Sequence, residues 1–221
     1  MISFAFDDGW KNQYTRALPI LDKYNFKATF YVITQMPKFM LEEGEGRMSK
    51  EDWVNLYNQG HEIGSHSQTH PNFNSTFPLK VKREIVESKK DLEKLGIEVE
   101  TFAYPYGRKG ISILTNLFLR KAGYKSARVY DGKFTSPNIF TYALSTKNVY
   151  NDTSIEEIRD WVDTCEKDDM WTILSFHQIE NNPQKWGCTP EMFEKICEYI
   201  HQKNIKVLTV SESLKHFNVF A

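Results

Sequence analysis

Cysteine is scarce in this 221-residue chain: three residues, Cys165, Cys188 and Cys197, with no C-x-x-C pair among them. An odd number leaves one unpaired in any arrangement, which argues against a disulfide framework and against a zinc knuckle. Cys197 falls at helical spacing with Phe193, Ile196 and Ile200 and reads as core. Charge of one sign is lacking too. The 28 basic and 29 acidic side chains give a net charge of −1, so there is no electrostatic case for a nucleic-acid or anionic-membrane partner. The densest basic stretch, residues 80–94, interleaves Glu84, Glu87, Asp91 and Glu93, as a solvated helix face does. No apolar run approaches the ~20 residues of a membrane span. There is no repeat, low-complexity tract or interdomain linker. Met1 leads directly into strand-like sequence, so no signal peptide is expected from the sequence as written. The expectation is one domain over residues 1–221, cytoplasmic as written, or secreted or cell-surface if an N-terminal segment has been removed. Oligomeric state is not legible.

What the chain does have is alternation. Strand-like segments at residues 2–6, 28–33, 61–65, 101–104, 124–129, 171–176 and 205–210, with a short one at 142–144, are separated by helix-like segments. Helices are expected at residues 13–23, 81–95, 111–121 and 155–165. Two more have start signals: Ser49 with Asp52 three residues on, and Thr189 followed by Pro190. Strands alternating with helices predict an α/β fold with a largely parallel sheet. Residues 35–47 and 180–187 read as loops.

Polar clusters follow four of the strands: Phe6-Asp7-Asp8-Gly9, His66-Ser67-Gln68-Thr69-His70, Tyr104-Pro105-Tyr106-Gly107 and His177. In α/β barrels and open sheets the strand ends open onto one face, where active sites sit. Asp7 and Asp8 repel each other unless a cation stabilises them; alone, the pair is equally a helix-capping turn. His66 and His70, four apart, can meet one metal ion, and a carboxylate completes the His₂-carboxylate set of open catalytic sites. Ser67 stands where a zincin glutamate would, and Pro71 favours a loop over a helix at His70. HxxxH by itself is weak; beside Asp7-Asp8 it points to a metal centre. His61, His201 and His216 lack such company and read as structural or solvent-facing.

Taken in order, Phe-Asp-Asp-Gly, Gly-His-Glu-Ile-Gly-Ser-His-Ser-Gln-Thr-His-Pro, Phe-Ala-Tyr-Pro-Tyr-Gly and Leu-Ser-Phe-His resemble the polysaccharide deacetylases, the NodB-homology domain or carbohydrate esterase family 4. Ala28-Thr-Phe-Tyr-Val32 is similar to the family's second strand. The resemblance implies a distorted (β/α) barrel of about seven strands and a metal-dependent hydrolase that removes N-acetyl groups from an N-acetylated carbohydrate. It implies one divalent ion, zinc by default, with cobalt, nickel or iron also suited to the ligand set. Residue by residue, it makes Asp7 the catalytic base, and Asp8, His66 and His70 the metal ligands. Tyr106 becomes an oxyanion-holding backbone N–H, His177 the general acid, and Leu174 a wall of the acetyl pocket. Tyr104, Pro105, Trp10 and Arg108 complete the expected substrate surface.

Two departures stand out. The family's third motif commonly opens with an arginine that orients the base, and Ala103 stands there; Arg108 is the nearest replacement in sequence. The aspartate and tryptophan that tune the acid histidine have no clear match, with Asp152 or Asp160-Trp161 as candidates. Two other readings stay open: a related C–N hydrolase acting on a cyclic amide, imide or ureide, and a non-catalytic carbohydrate-binding barrel.

Overall fold

The computed structural model describes residues 1–38, 45–135 and 140–217. Its frame is a seven-stranded, all-parallel sheet built from β1 (Ile2–Phe6), β2 (Thr29–Val32), β3 (Glu62–Ser65), β4 (Thr101–Ala103), β5 (Ser126–Arg128), β6 (Lys147–Asn148) and β7 (Thr172–Phe176), in the order β5-β4-β3-β2-β1-β7-β6. The helices are α1 (Leu18–Lys23), α2 (Lys50–Asn58), α3 (Pro78–Glu93), α4 (Ile113–Lys121), α5 (Ile155–Lys167), α6 (Pro190–Gln202) and α7 (Val210–His216). Both start signals work as read. Ser49 and Asp52 form a reciprocal capping box on α2, and Thr189 caps α6 with Pro190 in its first turn.

The strands have side chains buried on both faces, as parallel strands require. Phe4, Phe6, Phe30, Leu174 and Phe176 belong to the layer between sheet and helices, where Phe193 of α6 packs edge-on to Phe4, Phe6 and Phe176. Ala5, Tyr31, Ala103 and Ile173 lie in a second cluster with Val210 and Leu214 of α7, which plugs the bore.

Two expected strands resolve differently. Residues 141–143 form a 3₁₀ turn, and only Leu144 pairs, by a single bridge to Arg128; the sixth strand comes three residues later and pairs with β7. The segment 144–148 thus joins the sheet's two edges and closes the barrel. Residues 205–210 give one bridge, Val207 to Ile2, before Thr209 starts α7 through a capping box with Glu212. That Thr-x-x-Glu signature outweighs the local β-propensity. The segment 35–47 lies partly outside the described residues.

Candidate metal centre and catalytic cleft

Every cluster sits at a strand's C-terminal end, and after β1, β3 and β4 the backbone passes through a left-handed conformation that aims it. Asp8 (φ 69°) and Gly9 (φ 65°) turn the chain off β1, so that consecutive carboxylates reach the same mouth. A single π-helical turn follows at Gln13–Ala17. Gln13 Nε2 donates to the carbonyls of Asp7 at 2.6 Å and His177 at 2.9 Å, and Asn12 Oδ1 accepts from Ile179 N at 3.0 Å. The two neighbouring strand ends that carry Asp7 and His177 are thereby fixed to one helix start, a usual place for a π-bulge.

The loop after β3 is clamped from α3. Thr69 donates from both N and Oγ1 to the buried Glu84 carboxylate at 2.7 Å, and Gln68 Nε2 donates to Asp91 at 3.2 Å. Ser67 and His70 adopt positive φ, and His70 N donates to Ser67 Oγ at 3.0 Å. This is a loop, as Pro71 implied, and it turns both imidazoles toward Asp8. His66 Nε2 and His70 Nε2 lie 3.5 and 3.6 Å from Asp8 Oδ1, and 3.2 Å from each other. His66 Nδ1–H donates to the Ala103 carbonyl at 2.8 Å, which fixes the tautomer and leaves its Nε2 lone pair facing the cluster.

Asp8 Oδ1 is buried with no hydrogen-bond donor. An acceptor-only oxygen facing two imidazole nitrogens within 4.8 Å is the arrangement a divalent cation resolves. Burial pushes His70 down to about 4 and His66 below its usual value, so both favour the neutral, ligating form. Burial raises Asp8, but His177, His66, His70 and Arg47 together hold it below the ordinary carboxylate range.

Asp7 is buried and paired with the guanidinium of Arg128, itself 2% exposed. Arg128 lies on β5 in direct register with Ala103 on β4, and it stacks 4.5 Å over Tyr31. The cation absent from β4 is therefore supplied one strand over. Arg108 does not do this: it points outward to Asp131 at 2.8 Å. A lone arginine between Ala127 and Val129 in a buried strand was the available signal, because a buried charge needs a partner.

Asp7, Asp8, His66, His70, Tyr104, Tyr106 and His177 line one cleft of about 370 Å³, together with Asn72, Gly107, Tyr130 and Trp186. His177 Nε2 is 3.9 Å from Asp7 Oδ2. Burial pushes His177 down to about 4 against the pull of Asp8; neither Asp152 nor Asp160 is among the groups acting on it. Its ring packs on Tyr130 and Trp186 at 5.5 and 5.8 Å. Tyr106 (φ 57°) makes no backbone N–H hydrogen bond among the described residues, and its ring lies 4.9 Å from His70. At Gly107 an added Cβ would come within 2.9 Å of Tyr130, so only glycine lets this turn approach β5. Tyr104 is held by Asn116 and the Tyr142 carbonyl.

The remaining expected surface residues lie elsewhere. Leu174 is fully buried in the sheet–helix layer, because a side chain three before His177 faces away from the bore. Trp10 is 7% exposed and supports Asp8, with Nε1 3.4 Å from Oδ2 and Arg47 stacked on its ring. Pro105 is buried outside the cleft lining. Tyr130 and Trp186 are cleft residues that sequence reasoning missed, since both sit in loops without periodicity.

Comparison with known proteins follows the same lines. The peptidoglycan-N-acetylglucosamine deacetylase of Bacillus cereus is 27% identical over 130 residues, covering 57% of this chain and 54% of that protein. Matches span from 5% to 54% of the curated relatives' own lengths. A family 4 acetyl xylan esterase from Clostridium thermocellum superposes with a TM-score of 0.66 at 22% identity, covering 97% of this chain and 90% of that one. BA3943, a family 4 pseudoenzyme from Bacillus anthracis, superposes at 0.62 with 16% identity, covering 96% and 64%. At such identities the structural likeness speaks for the fold, a distorted (β/α) barrel. The sequence itself matches the polysaccharide deacetylase family over residues 1–127, more than half its length, and the chain belongs to that family.

Proposed function

We propose that this domain is a metal-dependent amide hydrolase that removes acetyl from an N-acetylated sugar. The observation that carries the reading is a complete Asp8–His66–His70 ligand set directly beside the buried Asp7–Arg128 pair, with His177 3.9 Å from Asp7. A binding module needs neither an acceptor-only metal triad nor a second buried carboxylate beside it.

Asp8, His66 and His70 would hold one divalent ion, zinc by default for two nitrogens and an oxygen, with cobalt, nickel or iron compatible. Such an ion lowers the pKa of bound water to about 7 and polarises the amide carbonyl. The protein's own groups do the rest. Arg128 pairs with the Asp7 carboxylate and orients it, and Asp7 accepts a proton from the attacking water. The Tyr106 N–H faces the oxygen that gains charge in the tetrahedral intermediate, a contribution of about 3 kcal/mol. His177 Nε2 delivers a proton to the departing amine nitrogen, and Asp7 is the nearest carboxylate from which it can receive one. Tyr130 and Trp186 crowd the His177 ring and limit water on that side.

The test is acetate release from N-acetylglucosamine oligomers by zinc-loaded, cobalt-loaded and chelator-stripped protein. Metal-dependent acetate is the expected result. Stoichiometric metal without acetate would move the reading to cyclic amides, imides or ureides. Absence of both would leave a carbohydrate-binding barrel; BA3943, of the same fold, is a family 4 pseudoenzyme. No helix among the described residues is long and apolar enough to cross a membrane.

A further inference from the structure

Beyond the ridge formed by Tyr130, Tyr150 and Trp186 lies a second and larger basin, about 540 Å³, which shares Tyr130 with the catalytic cleft. The three rings pack on one another with centroids 5.5 to 6.1 Å apart, so the ridge is a continuous aromatic wall. The basin occupies the seam where the barrel closes, between the turn after β5 and strand β6, and α5 supplies its far wall. Volumes of this size are ordinary for small-ligand sites.

Its polar groups are ordered and partly uncommitted. Asn148, 6% exposed, has one end of its amide held at 2.8 Å by Thr146 Oγ1, a hydroxyl that also lies 3.0 Å from the Val129 carbonyl, which leaves the other end of the amide without a partner among the described residues. Lys147 Nζ is held over the rings of Phe134 and Trp161 at 4.3 and 5.0 Å. Asp152 and Glu157 are exposed at the rim and have no cationic partner among the described residues. Asp131, by contrast, is already occupied by Arg108 and Ser145. Donors, acceptors and aromatic faces side by side suit a polyhydroxylated ring. Two unpaired carboxylates, Asp152 and Glu157, against one ammonium disfavour an anion such as a phosphate or nucleotide.

We infer that this basin is a sugar subsite: the substrate is an oligosaccharide that crosses the aromatic ridge, with the reacting residue in the metal cleft and the next sugar held by Asn148, Lys147 and Asp152. The inference rests on the proposed deacetylase reading for the identity of the ligand.

The experiment measures calorimetric Kd values for N-acetylglucosamine and its tetramer on zinc-loaded full-length protein carrying Asp7→Asn to suppress turnover. The same protein with Asp152→Ala or Asn148→Ala is measured in parallel, and acetate release by the unsubstituted chain is followed separately. Either basin substitution is expected to weaken the tetramer about fivefold, the worth of one hydrogen bond, and to leave the monomer unchanged. Asp152 is exposed, so its removal does not threaten the fold. Equal weakening of monomer and tetramer, or none of either, overturns the subsite while any acetate release keeps the catalytic reading. Basin-dependent tetramer binding without acetate upholds the subsite and overturns the catalytic reading. No affinity for either sugar overturns the subsite.

Discussion

At the floor of the barrel, Glu62 is 8% exposed, and its two carboxylate oxygens accept from Thr29 Oγ1 at 2.8 Å, Thr101 Oγ1 at 2.6 Å and Ser211 N at 3.0 Å. At the mouth, Asp8 is held by one long contact from Trp10, and its Oδ1 has no donor at all. The imidazoles differ in where their ring nitrogens point, although the buried His61 Nε2 has no partner. His61 at the floor uses Nδ1 to accept from Ala28 N at 3.2 Å, whereas His66 and His70 turn their Nε2 atoms toward each other and toward Asp8. The carboxylates at the two ends of one sheet are thus in opposite states. The Glu62 network ties α7 to the sheet and serves stability, whereas Asp8 Oδ1 and the Nε2 atoms of His66 and His70 converge on one point with no donor for the carboxylate oxygen, the arrangement that a divalent cation resolves.

The contrast breaks most visibly at His70. His70→Ala is expected to remove bound metal while the circular dichroism spectrum and unfolding midpoint stay near those of the parent, with turnover down about ten-thousandfold. Metal analysis that finds unchanged stoichiometry would remove His70 from the ligand set. Asp7→Asn should separate the two carboxylates of the mouth: metal retained, acetate release reduced about a thousandfold. An active Asp7→Asn enzyme rules Asp7 out as the base.

Arg128 is where function and stability meet, and so it sharpens the comparison. Arg128→Ala leaves Asp7 buried without a cation and should lower turnover on the order of a hundredfold at constant metal content, with a lower unfolding midpoint. Adding Ala103→Arg, in register on the adjacent strand, should recover much of that turnover if the charge at Asp7 is what matters. Failure of the double variant at full folding would assign Arg128 a purely structural role.

The floor should respond in stability alone. Glu62→Ala strands Thr29, Thr101 and the Ser211 N–H, and is expected to cost roughly 2–3 kcal/mol in denaturant unfolding with kcat unchanged. Of similar size, but confined to acid, is the pH effect of His61, pushed down to about 4 by burial and then by Lys27. Because the unfolded chain takes up this proton near the usual 6.5, the stabilisation from keeping His61 neutral is complete above 6.5. It declines as pH falls toward 4, by about 2–3 kcal/mol. His61→Gln should flatten that part of the stability profile; an unaltered acid limb would mean that other groups set it.

Much of this was legible without coordinates. Alternating segments gave the parallel α/β frame because buried strands and amphipathic helices have different periods. Ser49 and Thr189 marked helix starts because orphan N–H groups need side-chain acceptors. The Thr209–Glu212 box was equally present and was overlooked beneath a run of β-branched residues. The strand expected at residues 142–144 failed for a different reason. Leu144 does pair, but only as one bridge of a closure whose second half is Lys147–Asn148. Leu174, which the resemblance alone made a wall of the acetyl pocket, lies on the opposite face of β7 from His177, because side chains alternate along a strand.

What the sequence by itself determined is the set of chemical types at strand ends: two consecutive carboxylates, two imidazoles four apart, and a later histidine, in an order that specifies the family. Local chemistry suffices there because each motif is contiguous. Only the tertiary structure decided which cation faces Asp7, which aromatic rings enclose His177, and that a second basin opens beside the cleft. Arg128 meets Asp7 across 121 positions, and Trp186 meets Tyr130 across 56, through sheet register and barrel closure. Such contacts have no signature along the chain, because they are set by which strands become neighbours and where the two edges of the sheet meet.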